Sequence, residues 1–185
     1  SAWVTYPILV LIWNEGWAAN EALVAAGMAP TNIHINEFFK MITIGGQGST
    51  LALCIFMAFL AKSKRLKTIG RASLIPGIFN INEPLVYGAP IAFNPILMIP
   101  FWAAGLANGI IVWLGFSTGF MKIPTEVFRI KLPSFIYAPM CVKSLNGLWV
   151  ILIAFAVTAV IWYPFFKTYD KQCMLEEDKK KIKKD

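Results

Sequence analysis

The stretch Pro76-Gly77-Ile78-Phe79-Asn80-Ile81-Asn82-Glu83-Pro84-Leu85-Val86-Tyr87-Gly88-Ala89-Pro90 decides how this chain folds. It is apolar enough for a membrane, yet prolines at 76, 84 and 90, followed by Pro95 and Pro100, forbid one regular helix through residues 72–95. Each proline removes a backbone donor and clashes with the preceding turn. Irregular backbone at membrane depth is tolerated where protein encloses it or where it lines a wet cavity. A re-entrant, broken-helix hairpin is therefore expected here. Glu83 is the single charge in the fifty residues 72–121. An acidic side chain at a membrane helix centre costs roughly 2.5–3.5 kcal/mol or more. Glu83 is thus expected to be a buried carboxylate at the tip of a broken helix, its cost offset by a polar guest. Sugar hydroxyls, a proton or a sodium ion would each serve. The alternative is a structural carboxylate, neutralised by burial or paired with a lysine.

Composition supports the membrane setting. Of 185 residues, 57% are hydrophobic and only 15% charged, against about 25% charged in a soluble domain. An all-α integral membrane protein follows, with transmembrane helices and re-entrant hairpins, multi-pass in the cell membrane. The net charge of +7 is concentrated in Lys62, Lys64, Arg65, Lys67 and Arg71 and in a lysine-rich tail after residue 178. Both groups flank long apolar stretches, as cytoplasmic anchors do. No basic patch alternates with aromatics on a polar fold, so nucleic-acid binding is not expected. Cys54, Cys141 and Cys173 are too scattered for a disulfide or zinc pattern. No metal site and no cofactor is expected, and no catalytic constellation is present. His34, the lone histidine, reads as a surface residue.

Residues 1–13 are apolar but too few to span a bilayer, which takes about 20. They read as the end of a truncated helix, and Ser1 as a cut within a longer protein. Residues 14–28 read as a separate short helix, with Glu15 and Glu21 solvated and Asn36 capping the helix that follows. Residues 41–61 are charge-free, but Gly45-Gly46-Gln47-Gly48-Ser49-Thr50 argues for a loop followed by a helix from about Ser49 to Ala61. Residues 62–71 read as a basic loop, 96–121 and 144–166 as spans, 122–143 as a mixed polar loop, and the residues after Lys167 as a solvated tail. With 62–71 and the tail both cytoplasmic, the crossing count makes 72–95 enter and leave on one side.

Asn82 and Asn80 flank Glu83 with amides that donate and accept, which suits vicinal hydroxyls. Helix-end capping is the plainer role and fits Asn80 better. Gly45-Gly46-Gln47-Gly48 lacks the Lys-Ser/Thr of a nucleotide-binding loop. Close backbone approach is the better reading, to a ligand or to a neighbouring helix. Tyr87, Phe93, Trp102 and Trp113 are candidates for stacking on a sugar ring, though most membrane aromatics pack or mark the interface.

Taken together, Ile44-Gly45-Gly46-Gln47-Gly48-Ser49-Thr50, Ala61-Lys62-Ser63-Lys64, Phe79-Asn80-Ile81-Asn82-Glu83-Pro84, Tyr87-Gly88-Ala89-Pro90 and Asn94-Pro95 resemble the lactose/cellobiose family of phosphotransferase-system sugar permeases, the enzyme IIC component. The resemblance runs over nearly the whole chain. It implies import of a β-linked disaccharide and its phosphorylation by an enzyme IIB partner. It implies Asn82 and Glu83 as ligands of the sugar hydroxyls, and Gly45, Gly46, Gln47 and Gly48 as a re-entrant turn whose backbone approaches the sugar. It also implies a homodimer, formed through N-terminal helices that the chain lacks, and a His-Gly pair just before Ser1. Residues 1–166 would then be the C-terminal substrate-binding part and 167–185 a charged cytoplasmic tail. The alternatives are an ion-coupled secondary transporter with Glu83 as its proton site, and a non-transporting membrane subunit.

Overall fold

The computed structural model describes residues 2–126 and 132–182, and every regular element in them is helical. Arg129, Lys131 and the last lysines of the tail, on which part of the charge reading rested, lie outside the described residues.

Helix α1 (Ala2–Ala25) is one continuous helix, not the end of one followed by a second. No proline stands at the expected break, strong helix formers predominate just after it from Ala18 to Leu23, and Gly16 serves packing: a Cβ there would meet the His34 carbonyl. The chain then folds back along α1, held by Asn20. Its Nδ2 donates to the Asn32 carbonyl at 2.9 Å, and its Oδ1 accepts from the Asn32 N–H at 2.9 Å. Helix α2 (Asn36–Ile42) starts one residue earlier than expected, so Asn36 is its first residue and caps nothing.

The glycine-rich turn leads into α3 (Leu51–Ile55), which widens into a π-helical segment, Phe56–Leu60. The expected helix is thus found within two residues at its start. Gly70 of the next helix packs on this wide turn, where a Cβ would collide with the backbone of Met57 and Ala58.

Residues 62–71 are not a loop. Helix α4 (Lys64–Ile78) begins two residues after Lys62. Ser63 caps it, its hydroxyl accepting from the Leu66 N–H at 3.2 Å. Two carboxylates from α8 complete the start. Asp170 accepts from the N–H groups of Lys62 and Ser63, and Glu177 from those of Lys64 and Arg65. The first N–H groups of a helix have no partner within it, and its dipole favours negative charge there. A run of cations that reads as a loop is therefore stable as a helix.

The predicted break through 72–95 is present. Helix α4 ends at Ile78, α5 (Glu83–Gly88) starts with Pro84 in its first turn, and a 3-10 turn (Ile91–Phe93) precedes α6 (Pro95–Ser117). Asn94 caps α6, its Oδ1 accepting from the Ile96 N–H at 3.0 Å. Residues 122–143 are less loop-like than expected, since α7 (Ser134–Val142) forms behind Pro133. Helix α8 (Asn146–Ile182) continues far beyond the predicted span. Tyr169, Asp170 and Cys173 lie on its inward face, 6%, 7% and 3% exposed, so this part of the expected tail is docked rather than solvated.

Helices α6 and α8 pack along one another, and both are long and apolar enough to cross a membrane. Two apolar cores flank them. One joins Leu53, Met57, Leu66, Leu85, Leu97 and Trp162, and the other joins Met41, Ile44, Val112, Tyr137 and Ile151. Between the cores lies the glycine-rich turn.

Candidate functional site

The turn of residues 43–50 owes its shape to backbone that only small residues adopt easily. Gly45, Gly46 and Gly48 have φ of 76°, 95° and 73°, and Ser49 has 51°. Each neighbouring element then fixes one part of it. Gly45 N–H donates to Asn80 Oδ1 at 2.8 Å, and the Thr50 hydroxyl donates to the Gly45 carbonyl at 2.7 Å. Asn82 Nδ2 donates to the Gln47 carbonyl at 2.7 Å and to Thr50 Oγ1 at 3.3 Å. Trp162 of α8, fully buried, donates its indole N–H to the Gly48 carbonyl at 3.2 Å. Asn108 of α6, also fully buried, donates to Ser49 Oγ at 2.7 Å and to the Ile42 carbonyl at 3.2 Å.

A cavity of about 380 Å³ opens beside this turn, within the roughly 300–1,000 Å³ range of small-molecule sites. Gly46 and Gln47 form one wall, Asn80, Asn82 and Glu83 another, and Phe39, Thr43, Val86, Tyr87 and Phe101 complete it. Four of the six expected site residues, Gly46, Gln47, Asn82 and Glu83, therefore meet at one cavity. Gly45 and Gly48 do not line it. They hold the turn, and a Cβ on Gly48 would strike the Phe101 ring. Asn80 reaches the cavity but has a structural post, since its amide also accepts from the Ser134 hydroxyl and donates to the Leu132 carbonyl. Of the expected aromatics only Tyr87 lines this cavity. Phe93, Trp102 and Trp113 are 91%, 65% and 50% exposed elsewhere.

Glu83 corrects one expectation. It is exposed at the cavity edge, not buried. Helix α5 turns Leu85 into the core and leaves Glu83 and Pro84 outward. Among the described residues no hydrogen bond or ion pair engages its carboxylate, so the lysine-paired alternative is absent as well. The most deeply buried carboxylate among the described residues is Glu37, which the sequence did not single out and which is 0% exposed. Trp17 Nε1 donates to it at 3.0 Å, Lys40 Nζ lies at 3.4 Å and the Tyr137 hydroxyl at 3.5 Å. This cluster ties α1 and α7 to α2, the helix that carries Phe39 to the cavity.

Two helices long and apolar enough to cross a membrane thus accompany a cavity set between two broken-helix turns, an arrangement that suits a membrane transporter. Residues 2–105, more than half of the chain, match the family described as Phosphotransferase system, EIIC. The chain is 35% identical over 173 residues to a putative permease IIC component, YwbA, of Bacillus subtilis, covering 92% of this chain and 39% of that protein. It is 34% identical to the lichenan permease IIC component of the same organism, over 92% of this chain and 38% of that one. It is 34% identical to the lactose-specific EIICB component of Staphylococcus aureus, over 96% and 32%. Its structure superposes with a TM-score of 0.83, at 35% identity, on the crystal structure of ChbC, the IIC component of the N,N'-diacetylchitobiose-specific system, covering 90% of this chain and 39% of that one. The chain belongs to the phosphotransferase-system EIIC family and is a membrane protein. It spans about two fifths or less of each of these relatives.

Proposed function

We propose that this chain supplies the sugar-binding part of a phosphotransferase-system permease that takes up a β-linked disaccharide for phosphorylation by an enzyme IIB partner. The observation that carries the reading is the cavity that joins the uncommitted Glu83 carboxylate, the Asn82 amide and the Gly46-Gln47 turn. A carboxylate accepts hydrogen bonds from hydroxyls without needing a counterion, and charge-assisted bonds contribute roughly 1.5–3 kcal/mol each. Asn82 uses its N–H groups on Gln47 and Thr50, which leaves Oδ1 as an acceptor for a second hydroxyl. The rings of Phe39, Tyr87 and Phe101 offer flat apolar faces to the sugar ring. Relatives named for lichenan, lactose and diacetylchitobiose support a β-linked substrate, and the EIICB relative supports a IIB partner.

Transport follows by movement of the two broken-helix turns together, since Asn82 and Asn80 tie one to the other. Phosphorylation would then trap the sugar as a charged product. In the same proposal residues 1–166 bind substrate, residues 167–185 lie on the cytoplasmic side, and the permease is a homodimer joined outside these 185 residues.

The test is Glu83→Gln, which keeps shape and removes charge. Disaccharide affinity, measured calorimetrically on the purified permease, should fall about tenfold or more, near 1.4 kcal/mol per decade. Unchanged affinity removes Glu83 from the site. Uptake that survives withdrawal of phosphoenolpyruvate and collapses with the proton gradient overturns the phosphotransferase reading.

A further inference from the structure

A second cavity, of about 850 Å³, lies between the end of the π-helical segment and the middle of α8. Its walls are apolar: Leu60, Tyr163, Phe166 and Met174. Its polar edge holds three lysines, Lys62, Lys167 and Lys171. Lys167 and Lys171 are one turn apart on α8, so they share a face, and Lys62 approaches from the other side. Among the described residues none of the three ammonium groups is in an ion pair, and Lys167 Nζ stands 5.0 Å from the Tyr163 ring centre. One carboxylate, Asp170, also borders the cavity, but both its oxygens accept N–H groups from Lys62 and Ser63. Three positive charges therefore face one engaged negative charge.

The position of these lysines is as informative as their number. Residues 41–61 and residues 144–166 are the charge-free stretches leading to this cavity, and each ends on one of its lysines, Lys62 and Lys167. The charge-free part of α8, residues 146–166, is about 32 Å long at 1.5 Å per residue, close to the roughly 30 Å of a bilayer's hydrocarbon core. Both segments therefore leave the hydrocarbon at the same level, where lipid phosphates lie. A basic pocket between helices at that level fits an anionic headgroup, and its apolar walls fit the first carbons of an acyl chain.

We infer that this cavity binds the phosphodiester headgroup of an anionic phospholipid through Lys62, Lys167 and Lys171. The inference rests on the membrane location of the chain and is independent of the sugar site. The experiment is native mass spectrometry of the full chain released from detergent, titrated with phosphatidylglycerol or phosphatidylcholine. Phosphatidylglycerol should be retained about tenfold or more in preference to phosphatidylcholine, with about that factor lost in K62Q/K167Q/K171Q. The control K64Q/K179Q/K180Q removes equal charge elsewhere and should retain the lipid, as should K62R/K167R/K171R. Equal retention of the two lipids by the wild-type chain overturns the inference without recourse to any variant. So does equal loss in the control triple, which would reduce the effect to bulk charge. Displacement of the lipid by millimolar inorganic phosphate alone would assign the site to a free anion instead.

Discussion

The Asn82 side-chain amide stands 2.7 Å from the Gln47 carbonyl oxygen, thirty-five residues away along the chain. This bond spans the two broken-helix turns at the cavity wall, and Asn82 is only 8% exposed. Asn82→Ala removes that donor from a partly buried bond, a loss of about 0.5–1.5 kcal/mol. Both the thermal midpoint and the disaccharide affinity of the permease should fall. Asn82→Asp keeps the size but presents only acceptors to a carbonyl, and should be at least as harmful.

The glycines separate into two groups with opposite expectations. Gly48→Ala meets both a left-handed backbone and the Phe101 ring, and Gly46→Ala meets Asn82. Each should lower the thermal midpoint and abolish sugar binding. Gly105 and Gly109 on α6 have open space around a would-be Cβ. Alanine at either should leave the chain unharmed or raise its stability by up to about 1 kcal/mol through helix propensity. Thermal unfolding in detergent distinguishes the two groups.

Glu37 is held from three elements at once, so its partners should behave as a unit. Trp17→Phe keeps an aromatic side chain but replaces the indole by a smaller phenyl and removes one donor to a buried carboxylate, with an expected cost of about 1–3 kcal/mol. In the double variant Trp17→Phe with Glu37→Gln, the loss should be smaller than the sum of the single losses. Strict additivity in denaturant unfolding would show that the indole N–H does not act through Glu37.

The start of α4 depends on two carboxylates from α8, more than one hundred residues further on. Asp170→Ala should cost about 0.5–2 kcal/mol, in the range of a lost helix cap. The sharper readout is amide hydrogen exchange, which should accelerate at Lys62 and Ser63 but not at Lys64 and Arg65. Glu177→Ala should give the converse pattern.

What the sequence revealed and what it hid differ in physical kind. Proline acts on its own turn, so the breaks between Ile78 and Pro95 were legible residue by residue, as was the glycine turn. Exposure depends on which face a helix turns inward, and a count of charges along the chain does not carry that. The rarity of charge around Glu83 therefore points to burial, while the carboxylates that are buried, Glu37 and Asp170, stand close in sequence to lysines, Lys40 and Lys171, and carry no such signal. The basic run at 62–71 looks like a loop in the sequence because its stabilising partners, Asp170 and Glu177, are remote along the chain. Asn108 and Trp162 were missed for the same reason, though a lone amide in the middle of an apolar span was a usable signal for Asn108.

The π-helical segment takes up one extra residue in a single broad turn. Ala61 N–H reaches back five residues to the Phe56 carbonyl at 3.0 Å, one residue more than an α-turn contains. Excising a single residue from 56–60 would let this turn relax to ordinary α pitch, since four residues of α-helix wind about as far as five of the wider turn. Lys62 and Ser63 would keep facing Asp170, but Gly70 would lose its seat on the broad turn. The extra residue therefore serves the close approach of α4 rather than the direction in which the chain leaves the turn.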